Sequence, residues 1–431
     1  MPQELRKTSK KPPTPLGRNF HRFWIGSLSS NLADGVMLVA LPMVAAMLTN
    51  DPLLVSGLMV ARFLPWLLFG LFAGTLVDRW DRGTVLIVSN LVRACALVVL
   101  AALVATGNAN IWALYAVMFA VMVCEVFYDL AGRAILPALV PSGTIDRANG
   151  RLVGGKTATE DFAGSPLAGF LFAVAAALPL VVNAGAYLLG ALVLLGLPLA
   201  VRRPPRDEQK ADEGTPRTSL LTEMREGLSY LFAQRTLLPM LCFNIVTNMA
   251  FIAQAGILVL IVQDHFGVPE ALYGVFLSSA AGGAVVGAVL VNTLVAKLGR
   301  FATEIICFGL MGVCCLAFGL APNAWLAALA WGTLAVATTV SNTVMIGAIQ
   351  LIVPNTMLGR FMSIVQMTGA GLAPVGAFLG GLLGRIELYY VPLVAGTVVL
   401  LALLPTIPAL RRMTRRADEV EREAVQERPS A

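Results

Sequence analysis

Charge is what this chain most conspicuously lacks: only 13% of its 431 residues are Asp, Glu, Lys or Arg, about half the share that soluble domains carry. That scarcity excludes an ordinary water-soluble fold. Histidine is nearly absent, with His21 and His265 alone. Without a Ser-His-Asp arrangement or a helical metal-binding motif, the chain offers no catalytic constellation, so neither an enzyme nor a cofactor or metal is expected. The cysteines Cys95, Cys124, Cys242, Cys307, Cys314 and Cys315 fall inside apolar runs at no metal-ligand spacing and are read as small packing residues. No basic face with interleaved aromatics appears, so the net charge of +6 does not point to nucleic acid. The basic stretch through Pro15 lacks an apolar core followed by a small-residue cleavage site, and no removable signal peptide is read there.

Apolar length is what the chain has instead, with 57% hydrophobic residues. A bilayer core about 30 Å thick asks for about 20 apolar residues per helical span. Runs of that length recur at 23–48, 55–77, 84–105, 111–130, 153–177 and 179–199. A second set follows at 237–262, 272–294, 302–320, 324–351, 361–383 and 389–410. The runs are too long for membrane β-strands and do not alternate in polarity. The expectation is an all-α, multi-pass membrane protein of twelve transmembrane helices with the lipid bilayer as its solvent.

The basic residues fall on alternate connections. Arg6, Lys7, Lys10, Lys11, Arg18 and Arg22 precede the first run, and Arg79, Arg82, Arg147, Arg202, Arg203, Lys297, Arg300, Arg360 and Arg411 to Arg416 mark every second connection after it. The other connections carry almost none, and only Arg385 breaks the pattern. Short Lys/Arg-rich loops stay on the cytoplasmic side, so both termini are expected inside, in a bacterial inner membrane.

An offset of 213 residues brings landmarks of the two halves into register: Asn31 with Asn244, Gly70 and Gly74 with Gly283 and Gly287, Asn110 and Trp112 with Asn323 and Trp325, Pro141 and Arg147 with Pro354 and Arg360. This is the mark of a parallel repeat, two six-helix halves with a site between them. The division expected is a cytoplasmic leader at 1–22, an N-terminal bundle at 23–201, a linker at 202–236, a C-terminal bundle at 237–410 and a solvated tail at 411–431. Within the linker, Leu220, Leu221, Met224, Leu228, Leu231 and Phe232 recur at helical spacing, as in an amphipathic helix lying at the interface.

Certain motifs carry a family resemblance. Gly74-Thr-Leu-Val-Asp78-Arg79-Trp-Asp81-Arg82-Gly83 is similar to the motif joining the second and third helices of the major facilitator superfamily. The resemblance implies the major facilitator fold and a cytoplasmic gate at Gly74, Asp78, Arg79 and Arg82, with ion pairs that break and reform as the halves rock. The second-half copy at 287–300 has Asn292 where an acid is expected, so its gate reads as weaker. Arg62-Phe-Leu-Pro65 and Glu226-Gly227-Leu228-Ser-Tyr230-Leu231 resemble the branch that includes enterobactin exporters and macrolide efflux proteins. Gly164-Ser165-Pro166-Leu-Ala-Gly169 is similar to the motif of drug:proton antiporters, with Ser165 in place of a glycine.

Each charge near the bilayer centre costs about 3 kcal/mol on insertion scales. Five acids, Asp34, Glu125, Asp129, Glu160 and Asp161, lie in or near spans of the first half, against three bases, Arg62, Arg93 and Arg133. They cannot all pair. Desolvation favours the neutral form of a carboxyl, so an unpaired one can carry a proton. The distal half reads as having no comparable acid in its spans, which puts proton coupling in the first half. Asp34 shares a helical face with Ser27 and Asn31; it is expected either to pair with Arg62, pinning two helices, or to titrate. Asn244, Asn248 and Gln254 form a polar face on the seventh span and are candidates, with Ser27 and Asn31, to line a cavity or to bond between helices. Gly150-Arg-Leu-Val-Gly-Gly155-Lys156-Thr157 satisfies the P-loop expression, but it opens a membrane helix rather than following a buried strand, so ATP-driven transport is not read from it.

The function expected is secondary active transport, a monomer exporting a small amphipathic or hydrophobic compound in exchange for protons. Uptake by proton symport and a non-transporting receptor are the alternatives.

Overall fold

Apolar runs in lipid have one way to satisfy every backbone N–H and C=O within a segment, and the chain takes it. A computed structural model describes residues 16–141, 143–198 and 237–426, and among them there is helix but no strand. In chain order the helices are α1 (Arg18–Leu48), α2 (Pro52–Arg79), α3 (Arg82–Ala105), α4 (Ile111–Leu139) and α5 (Ile145–Lys156), then a π-helical stretch, Thr157–Gly164, that runs into α6 (Ser165–Val174), and α7 (Leu178–Leu195). After the undescribed segment come α8 (Leu237–Gly256), α9 (Glu270–Gly319), α10 (Ala324–Ile352), α11 (Asn355–Gly384) and α12 (Tyr390–Gln426). Nine helices among the described residues are long and apolar enough to cross a membrane. α9 is two rods: Gly299 sits at φ 78°, a left-handed conformation that glycine adopts without penalty, and breaks the helix there.

Helix starts are written in the sequence. Asp51, Asp81, Asn110 and Asn323 each accept a hydrogen bond from a backbone N–H of the first turn they precede, at 2.8 to 3.0 Å, which stabilises a helix start by about 1 kcal/mol each. Asn110 and Asn323 stand 213 residues apart, and α4 and α10 begin and end at the same offset. The outer faces are apolar: Trp112, Leu192, Val289 and Trp325 are all more than 60% exposed, as lipid-facing side chains are.

The helices pack in two sets. α1 and α3 pack on α7, and α2 and α3 on α4; in the second set α9 packs on α10 and α12, and α8 on α11 and α12. Two seams join the sets, α2 with α11 and α6 with α9. Backbone passes close to backbone at both. A Cβ on Gly274 of α9 would overlap the Ser165 carbonyl, and one on Gly381 of α11 would lie 2.8 Å from Leu53 Cα. Such small-residue contacts hold membrane helices where burial of apolar surface offers no drive. Both seams are tightest at one end of the bundle, where Arg385 Nε donates to Asp51 Oδ1 at 2.8 Å and a second guanidinium nitrogen meets Oδ2.

One expectation meets a different outcome. α12 does not give way to a solvated tail after Arg416; it runs unbroken to Gln426, with Met413 and Ala417 buried and Arg300 paired to Asp418 and, at 2.9 Å, to Glu421. Apolar residues at helical spacing beyond the span, interleaved with the tail's charges, are the physical reason. The leader through Pro15, the linker 202–236 with its amphipathic stretch and Glu226–Leu231, and the side chains of Asp78, Arg79 and Asp161 lie outside what is described.

Candidate functional site

One base organises the first set of helices, and it is Arg93 on α3. Its side chain is fully buried. Nη1 lies 2.8 Å from Glu125 Oε2 of α4 and 3.7 Å from Asp34 Oδ1 of α1. The guanidinium faces the rings of Tyr128, 4.8 Å to the centroid, and Tyr187, 5.2 Å. Tyr187 of α7 donates its hydroxyl to Asp34 Oδ1 at 2.5 Å. None of the guanidinium nitrogens makes a hydrogen bond of good geometry, so its hold on the two acids is electrostatic rather than a locked fork. A cation shared by two carboxylates in this way can change its allegiance when one of them becomes neutral.

Local sequence explains the placement. Gly190 of α7 leaves room for a polar crossing in which Asn90 Nδ2 of α3 donates to Ser30 Oγ of α1 at 2.9 Å. That contact brings α1, α3 and α7 together one helical turn from Asp34 and Arg93, and sets Tyr187 over Asp34. On the far side of α1, Gly35 and the π-helical stretch cross backbone to backbone, with a Cβ on Gly164 lying 2.7 Å from Gly35 Cα. π-helical turns recur at functional sites because the wider turn re-aims side chains.

A cavity of about 180 Å³ opens beside this cluster and gathers most of the remaining candidates: Asp34, Arg62, Glu125, Asp129, Lys156 and Glu160 all line it. Lys156 Nζ lies 3.3 Å from Glu160 Oε2. Glu160 is thus part of the polar cavity rather than a solvated helix start. The expected pairing of Asp34 with Arg62 is not made; Arg93 is Asp34's cation, and Arg62 lies with its guanidinium 5.7 Å from the Phe63 ring. Depth alone could not choose between Arg62 on α2 and Arg93 on α3; α1 and α3 both pack on α7, and Arg93 reaches Asp34 beside Tyr187 of that helix. Arg133 is exposed on α4.

The second set has a cavity of about 190 Å³, walled by Phe243, Phe251 and Phe308 and carrying Asn244, Asn248, Thr338, Ser341 and Asn342. Two of the residues expected to line a cavity, Asn244 and Asn248, do so. Gln254 does not: it is fully buried, donating to Ala250 O at 3.1 Å and Cys315 Sγ at 3.3 Å, and so ties α8 to α9. Ser27 is buried and Asn31 half-buried, and neither lines either cavity. Glu304 on α9 overturns the expectation that the distal spans hold no acid. It is fully buried and accepts a hydrogen bond from Ser341 Oγ at 2.8 Å. The residue lies inside the 302–320 run, a few residues past the basic connection at Lys297 and Arg300, and sequence alone does not give its depth.

The motif residues divide. A Cβ at Gly74 would meet open space, and Arg82 Nη1 donates to Ala134 O at 2.9 Å, tying the start of α3 to α4. Gly164 abuts α1, the carbonyl of Ser165 abuts Gly274, and Gly169 lies against Ala271 and Gly274, so Gly164-Ser165-Pro166 to Gly169 joins the seam between the helix sets. Gly155 of the P-loop-like stretch packs on Leu28 and Trp24, which is a helix-crossing role and leaves no cradle for a phosphate. Asn292 of the weaker gate copy lines a cleft with Arg300, Asp418 and Glu421, so α12 supplies the acids that its own loop lacks.

The family model described as a transmembrane secretion effector, within the major facilitator superfamily, matches residues 11–429. The chain belongs to that family. Macrolide efflux protein A of Streptococcus pyogenes is 23% identical over 403 residues, covering 91% of this chain and 97% of that protein. The MFS-type transporter YfiS of Bacillus subtilis is 28% identical over 270 residues, covering 61% of this chain and 60% of that one. Among solved structures, a bacterial homologue of the iron transporter ferroportin in an inward-facing state superimposes with a TM-score of 0.70 at 17% identity, covering 92% of this chain and 98% of that one. The nucleoside transporter NupG does so at 0.70 and 14%, covering 92% and 99%. At such identities these structures speak for the fold alone. The family member described here is a membrane transporter, possesses the all-helical transporter architecture and is not an enzyme.

Proposed function

We propose that this transporter is a proton-coupled antiporter that exports a small amphipathic or hydrophobic compound from the bacterial cytoplasm. The observation that carries the reading is the division of labour between the cavities. Titratable groups crowd one, around Arg93, Asp34 and Glu125, and apolar walls with neutral amides and hydroxyls form the other. A buried cation shared by two acids supplies a proton site: a proton taken by either acid releases Arg93 to the other, and the shift of charge moves α1 against α3 and α4. Counting α5 with α6 as one span and the two rods of α9 as two gives twelve spans in two six-helix halves. Basic residues on alternate connections favour both termini in the cytoplasm, at the inner membrane. On that topology the Asp51–Arg385 end faces outward and is closed by the ion pair, which supports an inward-facing state; we read the transporter as a monomer.

Efflux is favoured over uptake by the kinship with macrolide efflux proteins and by the antiporter-like motif at the α6–α9 seam. The rocking halves need no large cytoplasmic domain. The test uses purified protein in sealed, oriented liposomes with an imposed pH gradient, a radiolabelled macrolide and a trapped dye reporting luminal pH. Macrolide-dependent proton flux opposite in direction to the macrolide supports the reading. Macrolide movement without proton flux, or flux in the same direction, rejects antiport.

A further inference from the structure

Among the described residues, Glu304 is the one buried acid that the proton scheme above does not use. It lies on α9 five residues past the break at Gly299, fully buried, in a helix set whose described residues offer it no ion pair. One carboxylate oxygen accepts from Ser341 Oγ; the other, Oε1, is buried with no partner at all. Ser341 in turn lines the 190 Å³ cavity. The hydroxyl therefore spends its single hydrogen on Glu304 and turns lone pairs toward the cavity, where it can only accept. Around it, Asn342 and Thr338 continue the polar strip, and Phe243, Phe251 and Phe308 provide π faces and apolar wall. Among the described residues, no Lys or Arg lines this cavity.

An acceptor backed by a carboxylate, set in an aromatic wall without a cation, is complementary to a polarised N–H on an apolar body. A buried carboxylate left uncompensated is costly, and a donor carrying positive charge compensates it where a neutral one does so less. Aromatic faces add a further attraction for a cation.

We infer that the cavity of the second helix set is the site for the substrate's apolar body and that Ser341, positioned and polarised by Glu304, receives a cationic amine carried by it. This rests on the transport reading above and names the substrate class of that transport. Glu304 acts through Ser341 and is a positioning residue; Ser341 makes the contact.

The probes are dansylcadaverine, a fluorescent amphipathic primary amine, and its neutral N-acetyl derivative, titrated into the full-length protein in detergent while the dansyl emission reports entry into an apolar site. The wild type is expected to bind the amine about tenfold or more tighter than the N-acetyl compound, the size of a charge-assisted hydrogen bond. Glu304→Gln keeps the volume and an acceptor but removes the charge; it should lose most of that preference while its affinity for the N-acetyl compound stays within about twofold, which also reports that the site is folded. Ser341→Ala should do the same. A wild-type protein that binds both probes equally, or neither, or a Glu304→Gln protein that keeps the full preference, overturns the inference. Preference for the amine in the binding assay without any transport in liposomes would leave this site standing and remove the antiporter reading instead.

Discussion

Replacing Arg93 by Met removes the only charge that Asp34 and Glu125 share while keeping the length and most of the volume of the side chain. Breaking a buried pair by deleting one partner costs about 3–5 kcal/mol, because the other is left buried and uncompensated. Here two acids are left, and Tyr187 satisfies one oxygen of Asp34 alone. The loss of the cation–π faces of Tyr128 and Tyr187 adds to the cost. The expected destabilisation is therefore about 5 kcal/mol, at the upper end of that range. If charge is the cause, neutralising the acids should undo it: Arg93→Met with Asp34→Asn and Glu125→Gln is expected to regain at least half of the loss. Equilibrium unfolding in mixed micelles, followed by circular dichroism, measures each variant. A single variant within about 0.5 kcal/mol of wild type, the scatter of an ordinary surface change, refutes the buried-cation account. So does a triple variant no more stable than Arg93→Met alone.

Closure of the Asp51–Arg385 end is open to three further tests. Hydrogen bonds from Arg385 hold the Asp51 carboxyl below its ordinary range, so the latch is complete above that range and is lost only as pH falls through the lowered value. Labelling of Ser56→Cys, which is buried beside Gly381, from outside, taken relative to an exposed reference cysteine so that thiolate formation cancels, should accordingly stay flat from about pH 8 to pH 5, and should rise in Asp51→Asn. Gly274→Leu forces the α6–α9 seam apart at the Ser165 carbonyl, an overpacking of about 1–3 kcal/mol, and should raise the same labelling while slowing transport. At the other end Asp418 and Glu421 are part-exposed, so Asp418→Asn should change unfolding free energy by no more than about 1 kcal/mol. A loss of several kcal/mol there would mean that α12 does more than cap Arg300.

The sequence carried the fold in its period and its punctuation. Twenty-residue apolar runs gave the helices, and Asn110 and Asn323 marked equivalent starts at the repeat offset. The acids of the first half were legible by cost: a charge inside an apolar run announces itself. Their partners were not, since Arg93 reaches Asp34 through the α7 helix on which both α1 and α3 pack, and hydropathy is silent about such packing. Glu304 was missed because one basic connection lies so near it that a span boundary a few residues off turns it into a surface residue. Arg385 looked like a flaw in the charge pattern and is a latch; its role appears only when residues 334 apart in the chain meet at Asp51. The tail's docking was hidden for a similar reason, its apolar positions being diluted among charges.

The measurement that bears most directly on the proposed proton site at Asp34 separates exchange from net transport in liposomes. With labelled macrolide on both sides and no pH gradient, Asp34→Asn is expected to exchange at close to the wild-type rate, because the rocking of the halves and the second cavity remain. With a pH gradient as the only driving force, the same variant should fail to accumulate macrolide against its gradient. Uphill accumulation by Asp34→Asn at the wild-type level would contradict the assignment.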